Sequence, residues 1–101
     1  MNYVVRTTPK AEAQIRNIDR CWRRNRPASA DLFLDELSAA FGMIGHIPMI
    51  GRPYRRAPIT GVRRILLRLT RYHEYYVTAV NEVRVLAVWH ARRESAPRFR
   101  S

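Results

Sequence analysis

The chain of 101 residues contains one cysteine, Cys21, and one lysine, Lys10. A single cysteine excludes an internal disulfide framework, and Cys21 sits among apolar helix positions, so a packed thiol is expected. No stretch approaches the ~18 consecutive apolar residues of a membrane span, and the opening MNYVVRTTPKAEAQ lacks an apolar signal core. A soluble, cytoplasmic protein with no membrane association is expected. The sequence has no P-loop, GxGxxG, CxxC or HExxH. Its three scattered histidines and lone cysteine do not make a metal site, so neither metal nor any other cofactor is expected. Internal repeats and low-complexity segments are also absent. The length suits one domain over residues 1–101, large enough to hold a core without staples.

What the chain has in excess is arginine. Eighteen arginines and the lysine stand against 8 acids, for a net charge of +11. Residues 1–50 hold 7 basic and 5 acidic residues, whereas residues 51–101 hold 12 and 3. The positive field therefore belongs to the C-terminal half, and it suits nucleic acid, an acidic protein or an anionic surface as partner.

Asn2–Thr7, rich in β-branched residues, reads as a strand. Thr8 then offers a cap, Pro9 a first helical position, and Ala11, Ile15, Ile18 and Trp22 fall on one face, which predicts a helix over 9–25. Pro27 disfavours helical geometry at Arg26. Phe33, Leu37, Ala40, Phe41 and Ile44 form the stripe of a second helix over 29–46, antiparallel to the first and ended by Gly45 and Pro48. Pro48–Gly61 is a loop carrying Arg52, Arg55 and Arg56. Strands are expected at Val62–Leu67, Arg71–Val80 and Val83–Ala91. The order β-α-α-β-β-β predicts an α+β fold, a helical hairpin on a four-stranded antiparallel sheet.

With Asn81-Glu82 as a two-residue turn, Tyr76 faces Ala87, Glu74 faces Trp89, His73 faces His90 and Arg71 faces Arg92. One end of the sheet would then gather two histidines and two arginines. Both faces of this hairpin are apolar, and two helices cover only one. The other face is expected to meet a partner, unless loop 48–61 or the C-terminal tail folds over it.

These stretches together resemble the RelE/ParE superfamily of toxins from bacterial type II toxin–antitoxin modules. The resemblance runs through TPKAEAQI, IDRCWRRNRPASADLFLDELSAAFGMI, IPMIGRPYRR, RRILLRLTRYHEYYVTAV and VRVLAVWHARRESAP. It implies a small α/β toxin neutralised by a cognate acidic, ParD-like antitoxin that folds on binding, within a toxin–antitoxin hetero-oligomer. The ending VWHARRE is more similar to the ParE branch, which implies a non-catalytic poison of DNA gyrase. The alternative is a RelE-like, ribosome-dependent mRNA endoribonuclease.

RNA cleavage needs a base, an acid and cationic stabilisation, and arginine stays protonated. Lys10 opens the first helix and no tyrosine follows Tyr76, so His73, His90 and Glu74 remain as proton handlers. A nuclease would use His73 and His90 with Arg71 and Arg92. For gripping a target or antitoxin, the candidates are Arg63, Arg64, Arg68, Arg71, His73, Trp89, His90, Arg92 and Arg93.

Overall fold

The computed structural model describes residues 2–92. Strand β1 (Val4–Thr7) leads into helix α1 (Pro9–Asn25) and helix α2 (Leu32–His46). Strands β2 (Arg52–Pro53), β3 (Arg63–Leu67), β4 (Tyr72–Ala79) and β5 (Glu82–His90) follow. The five strands form one sheet in the order β1-β5-β4-β3-β2. The α+β class stands, but the sheet is mixed and not purely antiparallel: β1 lies parallel to β5, with Val4 opposite Glu82 and Thr7 opposite Val85. Alternating hydrophobicity places a residue on a face and carries no strand direction, so the parallel pair was not legible. Strand β2 comes from the proline-rich loop, and it tolerates Pro53 because it lies at the sheet edge.

Helix α1 has the expected bounds. The Thr8 hydroxyl accepts from the Ala11 N–H at 3.1 Å and donates to the Leu86 carbonyl at 3.3 Å, so the cap also ties the helix to β5. Gln14 takes over beyond the end of β1, its side-chain oxygen accepting from the Val88 N–H at 2.9 Å. Helix α2 starts later than expected because Pro27–Ser29 forms a separate 3-10 turn. Ser29 O accepts from the Trp22 indole at 2.8 Å, closing the hairpin tip. Ala11, Phe33, Leu37, Ala40 and Ile44 are buried against β3–β5, with Trp22 and Phe41 packed partly buried around them. Gly45 is where α2 meets β1: a Cβ there would lie 3.1 Å from both the Tyr3 carbonyl and a Val5 methyl. Cys21 is exposed, not packed, on the flank of the α1 stripe.

The β4–β5 hairpin turns one residue earlier than expected. Ala79 faces Glu82, and Asn81 takes a left-handed φ of 60°, a conformation that suits asparagine. A bulge follows. Tyr75 faces Ala87 whereas Tyr76 faces Val85, so Leu86 is the extra residue of β5. Leu86 and Ala87 both lie on the face away from the helices, and Val88 returns to the helix side. That far face is covered by the chain itself. Tyr54, Ala57 and Ile59 of the loop pack on Val62, Tyr75, Leu86 and Ala87.

The Tyr76 side chain fixes the Pro48–Gly51 segment. Its hydroxyl accepts from the Gly51 N–H and donates to the Pro48 carbonyl, both at 2.8 Å. A Cβ on Gly51 would lie 2.5 Å from that hydroxyl and 3.0 Å from the Arg64 carbonyl, whereas one on Gly42, inside α2, would meet nothing within 4 Å. Gly51→Ala should therefore cost about 1–3 kcal/mol in chemical denaturation. Gly42→Ala should gain about 0.5–1 kcal/mol by helix propensity.

Candidate functional site: an edge groove and a basic pocket

The sheet leaves the outer edge of β3 partly open. Strand β2 pairs only with Arg63 and Arg64, so Ile65–Leu67 hydrogen-bond to β4 alone within the sheet. Beside this edge runs a groove of 770 Å³ between α2 and the Pro48–Arg52 segment, walled by Met43, Ile50, Arg52, Arg64, Arg68 and His73 among others. Met43 and Ile50 of its wall are exposed, at 45% and 42%, as are the neighbouring Ile47 and Met49 in the chain.

Glu36 shapes the end of the groove. Its carboxylate accepts from the Leu69 N–H at 2.7 Å, the Thr70 N–H at 3.0 Å and the Thr70 hydroxyl at 2.7 Å. The turn between β3 and β4 is thus capped from α2. Glu36→Ala should cost on the order of 1–3 kcal/mol in denaturation, because three donors lose a charged acceptor.

A second pocket, of 540 Å³, lies at the tip of the helical hairpin. Arg26 caps the C-terminus of α1, Arg71 comes from the β3–β4 turn, His90 ends β5 and Arg92 follows it. Cys21, Trp22 and Tyr72 complete much of its wall. Arg26 lies over the Trp22 ring, 5.2 Å from its centroid. The His90 ring meets Tyr72 edge-on at 5.0 Å.

The expected grouping of Arg71, His73, His90 and Arg92 is therefore split. Arg71, His90 and Arg92 meet at the tip. The one-residue change of register puts His73 opposite Trp89 and His90 opposite Tyr72. His73 lies on the far face, in edge contact with Tyr75 at 5.9 Å, and no cross-strand histidine pair forms. Burial, then the charges of Arg64 and Arg71, hold the His73 pKa below its ordinary value. Arg64 lies over the Tyr54 ring at 5.1 Å on the same face as His73. Trp89 is half-buried there, and Arg68 is exposed. Arg63 is a structural tie whose guanidinium donates to the Gly51 carbonyl at 2.7 Å and the Met49 carbonyl at 3.3 Å. Arg93 lies outside the described residues. Arg26, Cys21 and Glu36 were not picked out as site residues, because only the fold joins the helical-hairpin link to the β3–β4 turn.

Glu74 is no surface proton handler. It lies on the helix face of β4 between Ile65 and Val88, fully buried, and neither carboxyl oxygen has a hydrogen-bond partner among the described residues. Burial pushes its pKa up to about 8. The folded value exceeds the unfolded one of 4.5, so the full stability is present below pH 4.5 and is lost progressively as pH rises towards 8. The loss should be on the order of a few kcal/mol. Unfolding measured from pH 5 to 8.5 should show this slope, and Glu74→Gln should flatten it.

The fold is a helical hairpin that covers one face of a five-stranded mixed sheet. Several solved structures are similar to it, three of which follow. The chromosomal ParDE toxin–antitoxin system from P. aeruginosa matches with a TM-score of 0.73 and 16% identity, over 89% of this chain and 97% of that one. The toxin–antitoxin complex RelBE2 from Mycobacterium tuberculosis gives 0.61 and 24%, over 89% and 99%. A mutant of E. coli toxin RelE in the free state gives 0.59 and 20%, over 91% and 86%. A search of curated proteins finds no match. The family model of the ParE toxin of type II toxin–antitoxin systems (parDE) matches residues 5–95, and the chain belongs to that family.

Proposed function

We propose that this ParE-family toxin, a single domain acting in the cytoplasm, arrests growth by binding DNA gyrase without catalysing a reaction. A cognate acidic antitoxin neutralises it in a toxin–antitoxin hetero-oligomer. The observation that carries the non-catalytic reading is the placement of His73 and His90 on opposite faces of the sheet, with Glu74 sealed in the core. The antitoxin site is the β3 groove. Its open edge offers backbone donors and acceptors to an added strand, the exposed Met43 and Ile50 offer anchors, and Arg52 and Arg68 offer charge.

Translating ribosomes and a gyrase supercoiling assay test the target. The wild-type chain should inhibit supercoiling and leave mRNA intact, and Arg92→Ala/Arg93→Ala should relieve inhibition more than His90→Ala does. Ribosome-dependent mRNA cleavage lost in His90→Ala would instead establish the endoribonuclease. Within the antitoxin complex, Met43→Asp in the groove should weaken antitoxin binding by at least tenfold, measured by calorimetry.

A further inference from the structure

We propose that the pocket at the hairpin tip seats the phosphodiester backbone of a nucleic-acid strand, independently of sequence. Arg26, Arg71 and Arg92 supply the charge and His90 a hydrogen-bond donor. Among the described residues the wall contains these three guanidinium groups and the imidazole but no carboxylate. Among the described residues none of the three arginines forms an ion pair, whereas Arg6, Arg23 and Arg84 all do. The Glu36 carboxylate is occupied by the Leu69 and Thr70 donors, and Asp31, next to Leu32 of the wall, pairs with Arg23.

Two details show a site shaped for an anion. Arg71 has a left-handed φ of 69°, in a turn held by its N–H to the Leu67 carbonyl and by its own carbonyl accepting from the Ala91 N–H, both at 2.8 Å. Glycine or asparagine suits that conformation, and a long charged side chain kept there is a local strain in exchange for a guanidinium at the pocket. In the second detail, the His90 Nδ1 accepts from the Arg92 N–H at 3.1 Å. A neutral ring in that bond carries its proton on Nε2, which leaves the opposite side of the imidazole as a donor.

The occupant follows from the charge of the pocket. The β3 groove, with its open strand edge and the exposed Met43 and Ile50, suits a peptide. At the tip, Arg26 covers a face of Trp22, and Tyr72 meets Phe33 and His90 edge-on, so these rings are already engaged within the chain. Leu32 and the exposed Leu69 add apolar wall, and the three guanidinium groups and the imidazole supply the charge and hydrogen-bond donors that phosphate contacts use. A strand, and not a lone ion, is indicated by α1. Arg16, Arg20 and Arg24 are exposed and without ion pairs among the described residues, spaced four apart and so ~6 Å along the helix. This row lies on the helix that carries Cys21 and Arg26 into the pocket.

Binding of a fluorescent twelve-nucleotide oligothymidine to the full chain, followed by anisotropy between 50 and 200 mM salt, tests the proposal. Arg71→Gly should weaken binding roughly tenfold. It should lower the salt slope by about one phosphate contact and leave the melting temperature unchanged or higher. Arg56→Gln, which removes the same charge from the loop outside the pocket, should change affinity less than twofold. The oligonucleotide should also slow alkylation of Cys21 by iodoacetamide in the wild-type chain. Arg26→Gln leaves the turn untouched and should reproduce the loss if Arg71→Gly folds poorly. Equal losses in the pocket and loop variants would overturn the proposal, as would an unprotected Cys21. Protection of Cys21 by an oligoglutamate peptide as effective as that by the oligonucleotide would overturn it too.

Discussion

Much of this structure depends on one extra residue in β5. The bulge at Leu86–Ala87 lets a continuous run of apolar residues serve two cores. Val83 and Val85 face the helices, Leu86 and Ala87 face the loop, and Val88 faces the helices again. A regular strand would send Ala87 to the helix side and Val88 to the loop. The bulge also decides what reaches the pocket: with it His90 stands beside Tyr72 at the hairpin tip, and His73 stands on the other face beside Trp89.

Local chemistry was legible and pairing was not. Thr8, Pro9 and the 11/15/18/22 stripe set α1 at the expected bounds, because caps and helical periodicity depend on neighbours within four residues. The core residues of α2 were legible for the same reason, although its start was displaced by the turn around Pro27. The sheet depends on contacts distant in sequence. The hairpin turn was placed one residue late, since Asn81 fits either loop position, and the bulge has no marker in a stretch where every residue from Val85 to Trp89 is apolar. Those two errors together changed the histidine pairing by one. The second apolar face was legible, but its covering by Tyr54, Ala57 and Ile59 required knowing how the loop returns.

The distribution of acids explains why the positive surface is not neutralised. Asp19 and Asp31 hold Arg23, and Glu82 holds Arg6 and Arg84. The Thr7 hydroxyl donates to Glu12. Glu36 caps a turn and Glu74 is buried. These carboxylates stabilise local structure, and the arginines of the β3 groove and the hairpin tip are left to face solvent. For a protein whose partners are argued to be anionic, this division matters more than the net charge, since it fixes where the field emerges.

Glu36 connects the two surfaces. It lines the β3 groove, and the backbone it holds, Leu69 and Thr70, lines the tip pocket next to the strained Arg71. Arg68, at the groove side of that turn, would pair readily with an acidic occupant, and such an occupant would compete with Glu36 for the same electropositive turn. A partner that displaced the Glu36 carboxylate would remove the acceptor holding the turn, and with it the restraint on Arg71. By linkage, anything that orders Arg71 at the tip would then oppose that partner in the groove, with equal coupling in both directions. The β3–β4 turn thus offers a route by which occupancy of the groove can be felt at the pocket.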